Sequence, residues 1–221
     1  NNLPGSNTSI GGDTALGSIA AAVDAIKQSA VASQRAFVVE VMGRSCGYLA
    51  LLSGLATGAE RVYMNEEGVT LADLQRDVAY LRQGFVRGKR VGLVIRNEAA
   101  SRVYDTDFMC ALFEEEGGNL FDVRKAILGH LQQGGDPSPF DRMLASRLAA
   151  RAIDLLDGCA QCDEAPAVFL GTVHGRVETG QIEDWPRLVD LAHQRPKKQW
   201  WLALREVVRL RKSQPVFRRR R

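Results

Sequence analysis

Ala36-Phe37-Val38-Val39-Glu40-Val41-Met42-Gly43-Arg44-Ser45-Cys46-Gly47-Tyr48-Leu49 carries the pattern that decides the fold. Its first six residues form a short apolar run, which is how a strand buried on both faces of a parallel sheet reads. A glycine-bounded loop follows at Gly43–Gly47, and a small-residue helix is predicted over about 48–57. Strand, loop and helix in that order form the repeating unit of an α/β domain.

The unit recurs outward from this stretch. On its N-terminal side, Leu16, Ile19, Val23 and Ile26 recur at helical spacing behind Gly11-Gly12-Asp13-Thr14, predicting a helix over about 13–32. On its C-terminal side, Arg61–Met64 reads as a short strand, and Thr70-Leu71-Ala72-Asp73 opens a helix to about Arg87 in the manner of a capping box. Arg90–Arg96 is a second buried-strand pattern, followed by a helix over about 106–116. Lys125–Leu128 leads as a strand into Gly129–Gly135. Ser138-Pro139-Phe140-Asp141 then supplies a cap, an N1 proline and an N-terminal acid for a long helix. Beyond Gly158 the pattern weakens to short strands at Ala167–Gly171 and Arg176–Glu178 and helices over about 183–193 and 199–212. The expected architecture is a doubly wound α/β fold, a parallel sheet flanked by helices.

Composition narrows the function classes. The 221 residues are 45% hydrophobic with a net charge of only +3, enough for one sizeable core or a core with a small appendage. The charge is unevenly spread: Pro196 to Arg221 holds ten Lys or Arg against the single acid Glu206, so residues 1–195 carry a net −6. No domain-wide basic stripe accompanies that tail, so it reads as a solvated end rather than a nucleic-acid arm. Four cysteines, with Cys159 and Cys162 the only C-x-x-C, fit free thiols better than a disulfide scaffold or zinc site. No apolar run is long enough to span a membrane, and a soluble, cytoplasmic protein is expected. Asn1-Asn2 is neither an initiator methionine nor a leader, so a segment of something longer is expected, lacking its N-terminal part.

In open α/β sheets ligands gather at the carboxyl ends of the strands. Met42–Cys46, Asn97-Glu98 and Gly129–Gly135 should therefore surround one pocket. Arg35, Arg44 and Arg124 offer planar forks suited to phosphate, and Gly129 and Gly134-Gly135 let backbone N–H groups approach an anion. Glu98 among these cations suits a sugar hydroxyl. Taken alone, the residues leave a phosphorylated-polyol pocket and an ordinary set of surface ion pairs and turns equally open.

Longer motifs carry a resemblance. Leu128-Gly129-His130-Leu131-Gln132-Gln133-Gly134-Gly135 followed by Pro139-Phe140-Asp141-Arg142 resembles the phosphofructokinase signature. Val39–Leu49, Asn1-Asn2-Leu3-Pro4-Gly5-Ser6, Leu93–Glu98 and Pro196-Lys197-Lys198-Gln199-Trp200-Trp201 are similar to further segments of animal-type enzymes of that family, in their C-terminal half. The family transfers the γ-phosphoryl of ATP, with magnesium, to the 1-hydroxyl of fructose 6-phosphate. Its eukaryotic chains are tandem duplications with a catalytic N-terminal and a regulatory C-terminal half. The resemblance therefore implies residues 1–195 as a C-terminal phosphofructokinase-like half, 196–221 as a C-terminal helix and basic tail, and a homo-oligomer, a tetramer of full-length chains.

Two positions point to the regulatory copy. Where catalytic halves carry Asp and Arg, Asn2 and Gln133 stand, and the preceding position, Asp in catalytic halves, lies before Asn1. The resemblance implies fructose 2,6-bisphosphate as ligand, ATP and magnesium bound mainly by another part of the protein, and no catalytic residue in this segment. By the same likeness Asn1 and Asn2 belong to a loop facing the sugar phosphate, and Arg35 and Arg124 reach into a partner subunit's site. Met42, Gly43 and Arg44 line the pocket, although regulatory halves often have Gly at the position of Arg44. Glu98 accepts a sugar hydroxyl, and His130, Leu131, Gln132 and Gln133 form the second phosphate loop. Arg195 is nearest to a further expected arginine whose own place is taken by Gln194. A stand-alone sugar-phosphate-binding protein and a catalytic half, if Asp precedes Asn1, are the alternatives.

Overall fold

A computed structural model describes residues 3–30, 33–160 and 165–208. The opening stretch folds as β1 (Arg35–Val41), a tight loop and α2 (Tyr48–Thr57), preceded by α1 (Gly12–Ala30). Then come β2 (Arg61–Tyr63), α3 (Leu71–Val86), β3 (Val91–Asn97), α4 (Thr106–Gly117), β4 (Asp122–Ile127), a 3-10 turn at Gly129–Gln133, and α5 (Pro139–Cys159). The four strands form one parallel sheet in the order β2-β3-β1-β4.

Alternation along β1 shows why both faces need cover. Ala36 and Val38 enter a core with Leu74, Val78, Leu81, Phe85, Met109 and Phe113 from α3 and α4. Phe37, Val39 and Val41 enter another with Ile19 and Val23 of α1 and Ala50 of α2. Successive strand side chains point to opposite faces, so a near-continuous apolar run feeds both layers. The helix starts follow the sequence chemistry: Thr70 and Asp73 form a reciprocal capping box, Asp105 caps α4, and Ser138 caps α5 with Pro139 in its first turn.

The region after α5 departs from expectation. Val168–Val173 and Arg176–Gln181 pair as an antiparallel hairpin, β5 and β6. The helix expected over 183–193 is absent: a 3-10 turn at Ile182–Asp184 and one helical turn at Trp185–Leu188 give way to Val189-Asp190, which pairs antiparallel with Arg195-Pro196. Asp190 accounts for this. Its Oδ1 accepts the amides of Ala192 and His193 at 3.1 and 3.3 Å, and its Oδ2 is 2.8 Å from His193 Nδ1, a local turn that competes with helix propagation. Gln194 completes the reversal at a left-handed φ of 51°. Of the helix expected over 199–212, a 3-10 turn at Trp200–Leu204 runs into a helical turn over 205–208, and the rest lies outside the described residues. Trp201 is buried with Cys46, Tyr48, Leu51 and Met64, so the C-terminal segment packs onto α2 and the loop before it. Cys46, Cys110 and Cys159 form no disulfide among the described residues, and Cys162 lies outside them. No helix among the described residues is long and apolar enough to cross a membrane.

Candidate functional site

The C-terminal ends of β1, β3 and β4 open into a cavity of about 900 Å³. Its walls include Met42, Gly43 and Arg44 after β1, Glu98 after β3, and His130, Gln132 and Gln133 after β4. The N-terminal ends of α1 and α5 close it with Gly11, Gly12 and Thr14 on one side and Asp141 and Arg142 on the other.

The β1 loop is shaped by its main chain. Gly43 has φ 144°, and an added Cβ would lie 2.4 Å from the Cys46 carbonyl oxygen, so only glycine fits. Arg44 follows at φ 49°, a left-handed conformation that costs a non-glycine residue about 1 kcal/mol or more. Glu98 holds this strained pair: its Oε1 accepts the Gly43 N–H at 3.0 Å and the Arg44 N–H at 2.7 Å. Arg44 itself is exposed at the cavity wall, leaving its guanidinium available to an anion.

Glu98 is in turn fixed from below. Arg96, 1% exposed, donates from Nη2 to the carbonyls of Glu98 at 3.4 Å and Ser101 at 3.2 Å. Its Nη1 donates to Glu40 Oε2 at 2.8 Å and Thr106 Oγ1 at 2.7 Å. Burial lowers the Arg96 pKa and the Glu40 charge opposes that, so the cation stays in place. Gln132 plays a similar part on the other side: it is 1% exposed and its Oε1 accepts the Met42 N–H at 3.0 Å. Asp141, also buried, accepts the Thr14 N–H at 2.8 Å, tying the N-terminal ends of α1 and α5 together. Both carboxylates of the cavity wall therefore have an oxygen engaged by backbone N–H groups.

Seven of the thirteen expected site residues line this cavity: Met42, Gly43, Arg44, Glu98, His130, Gln132 and Gln133. The others stand elsewhere. Arg35 begins β1, at the opposite end of the strand, and Arg124 sits in β4 opposite Phe37 with its Nη1 on its neighbour's carbonyl, Val123 O, at 2.7 Å. Strand alternation places Arg35 and Arg124 on the α1 face of the sheet, and neither lines the cavity of their own chain. Leu131 points outward at 78% exposure. Arg195 turns behind the loop, its Nη1 donating to Ser45 O at 2.7 Å and Asn65 Oδ1 at 2.9 Å. Asn1 and Asn2 lie outside the described residues. Sequence reading missed Thr14, Asp141 and Arg142 as wall residues. The capped starts of α1 and α5 were visible, but nothing in the spacing brought the two helix ends together.

A phosphofructokinase family model matches residues 1–156, the span that builds the sheet, the cavity and most of α5. The chain belongs to the phosphofructokinase family. It is 46% identical over 213 residues to an ATP-dependent 6-phosphofructokinase of Dictyostelium discoideum, covering 94% of this chain and 25% of that protein. It is 41% identical over 221 residues to the human muscle-type ATP-dependent 6-phosphofructokinase, covering 95% of this chain and 28% of the relative. The structure of phosphofructokinase from Saccharomyces cerevisiae superposes with a TM-score of 0.92 at 33% identity, over 96% of this chain and 30% of that one. The chain thus spans about a quarter of the length of the curated relatives it matches.

Proposed function

We propose that this chain is the sugar-phosphate-sensing, C-terminal part of an ATP-dependent 6-phosphofructokinase, and that its cavity takes fructose 2,6-bisphosphate or a closely related sugar phosphate. The observation that carries the reading is the donor set of the cavity. Arg44, His130 and Arg142 stand with the amides of Gln132 and Gln133 around one space, while Glu98 and Asp141 each have an oxygen engaged by main-chain N–H groups. Such a wall favours a polyanion, and Gln133 adds hydrogen bonding without a further charge. In-line phosphoryl transfer additionally needs a base near the accepting hydroxyl and carboxylates for magnesium. As the family resemblance implies, ATP, magnesium and the transfer of the γ-phosphoryl to fructose 6-phosphate are assigned mainly to the remainder of a longer protein.

Arg35 and Arg124 fit the same reading in a homo-oligomer, proposed to be a tetramer. Sharing one face of the sheet and not lining their own cavity, they are assigned to the cavity of a neighbouring subunit in a cytoplasmic enzyme. The experiment joins this segment to a phosphofructokinase N-terminal half and titrates fructose 2,6-bisphosphate against activity, for the unaltered protein and for Arg124→Ala. Activation weakened at least tenfold by the substitution is expected. Activation that Arg124→Ala leaves unchanged removes the assignment.

A further inference from the structure

Beneath the β1 loop, on the side away from the cavity, lies a cluster of polar side chains that the binding site does not use. Glu66 is its hub. Its side chain is 5% exposed, and both its oxygens lie 3.0 Å from the Gly47 N–H. Gln199 Nε2 donates to Glu66 Oε1 at 3.1 Å, and Arg195 Nη1 lies 3.4 Å from the same oxygen. Arg195 also donates to Ser45 O and to Asn65 Oδ1, and Asn65 Nδ2 donates to Ala99 O at 2.7 Å, one residue beyond Glu98. Two residues of the C-terminal segment therefore grip the two loops that carry Gly43, Arg44 and Glu98.

The grip extends to the opening segment. Trp200 Nε1 donates to Asn7 O at 2.8 Å, and Trp200 and Trp201 meet the Tyr48 ring edge-on at 6.4 and 6.0 Å between centroids. Arg195 reaches the Ser45 carbonyl of the β1 loop directly, while Glu66 and Asn65 relay the segment to the Gly47 amide and the Ala99 carbonyl. A side chain that bonds a loop carbonyl and amide sets where that loop stands, because those groups have no sheet or helix partner to fix them. The left-handed Arg44 makes this matter: a strained turn persists only when its surroundings over-determine it.

We propose that Arg195 and Glu66 are a positioning pair that couples docking of the C-terminal segment to the shape of the anion cavity. With the pair intact, Ser45 O and Gly47 N–H are held from behind and Glu98 can hold Gly43 and Arg44 from the side. With it broken, the loop relaxes and the Arg44 guanidinium loses its aim. Asp190, 3.8 Å from Arg195 Nε, and Asn65 complete the set of polar groups facing this pair. The affinity consequence rests on the sugar-phosphate reading of the cavity, whereas the loop consequence does not.

The test uses the segment joined to a phosphofructokinase N-terminal half, with Arg195→Met and, separately, Glu66→Gln, which keeps an oxygen for Gly47 and removes the charge facing Arg195. Hydrogen exchange at the Arg44 and Gly47 amides should quicken at least tenfold in both variants, while exchange in the β1 core stays as in the unaltered chain. The dissociation constant for fructose 2,6-bisphosphate should rise about tenfold, the scale of one charge-assisted hydrogen bond. Arg195→Lys, which keeps a charged donor, should recover part of both effects. If the loop amides keep their protection in Glu66→Gln while that variant remains folded, the pair does not position the loop and the proposal falls. If fructose 2,6-bisphosphate does not bind the unaltered joined protein, the functional reading falls, and the exchange measurement still decides the coupling.

Discussion

Glu98 Oε1 stands 2.7 Å from the Arg44 amide and 3.0 Å from that of Gly43, so one carboxylate oxygen closes the turn that carries one of the cavity's two arginines. Two backbone N–H groups on an ionised acceptor form charge-assisted hydrogen bonds, which are stronger than neutral ones. Glu98→Ala leaves both amides without that acceptor, and a stability loss of about 1.5–3 kcal/mol is expected from chemical denaturation. Glu98→Gln keeps an amide oxygen in the same place and should cost less than half as much. Calorimetric titration with fructose 2,6-bisphosphate should show weaker binding in both, with Glu98→Ala the weaker of the two.

Arg44 sets stability against function at one position. Its φ of 49° suits glycine, so Arg44→Gly relieves the left-handed strain while adding freedom to the unfolded chain. The balance should be a gain of about 0.5–1 kcal/mol in unfolding free energy. Removal of the guanidinium from the cavity wall should weaken sugar bisphosphate binding at least tenfold. A variant that is both more stable and a poorer binder is the expected signature, read from a melt and a titration of the same sample.

How much of this was legible in the sequence depended on the kind of contact. β1 and β3 could be read because both faces are buried, which writes the strand as an unbroken apolar run and leaves the loop after it as the binding edge. The capping box at Thr70 and Asp73 could be read because its partners are three residues apart. Arg96 could not be, since it looks like the polar end of a strand, and its role depends on Glu40, 56 positions away, lying beside it in the parallel register. Gln132 lines the cavity, and its Oε1 also accepts the Met42 N–H, a contact that only the folded loop shows. Over 183–193 the helical spacing misled because Asp190 captures two nearby amides, a local hydrogen-bond choice that periodicity does not register.

Breaking the Arg96–Glu40 pair should be the most costly single change near the site. Removing one partner of a buried pair strands the other charge, at about 3–5 kcal/mol. Glu40 is 20% exposed and its loss leaves Arg96 with Thr106 and two carbonyls, so Glu40→Ala should fall near the low end, about 3 kcal/mol. Replacing both residues with apolar ones should cost less than the two single changes added together. A double-mutant cycle by urea unfolding reads this directly, with a coupling energy above about 1 kcal/mol expected.

The α3 cap supplies a pH-dependent prediction whose sign follows from Asp73. Its hydrogen bond from Thr70, the largest influence, and the nearby Arg76 hold the Asp73 carboxyl below its ordinary range. A carboxyl whose pKa is lower folded than unfolded contributes stability above the unfolded value, and that contribution is lost as pH falls through the folded one. Asp73 is partly exposed, so solvent screening keeps the effect small, and Asp73→Asn should cost no more than about 1 kcal/mol at neutral pH. The gap between the two proteins should hold down to about pH 4 and close below it, as the unaltered Asp73 takes up its proton. Thr70→Ala removes the hydroxyl that serves the cap and should likewise cost about 1 kcal/mol at neutral pH. In the Thr70→Ala background the further change Asp73→Asn should show a smaller pH-dependent gap, because the hydrogen bond that lowers the carboxyl is already gone. Parallel thermal melts of the four proteins from neutral to acid pH make the comparison, and an Asp73 contribution that grows on acidification would reverse the sign argued from the cap.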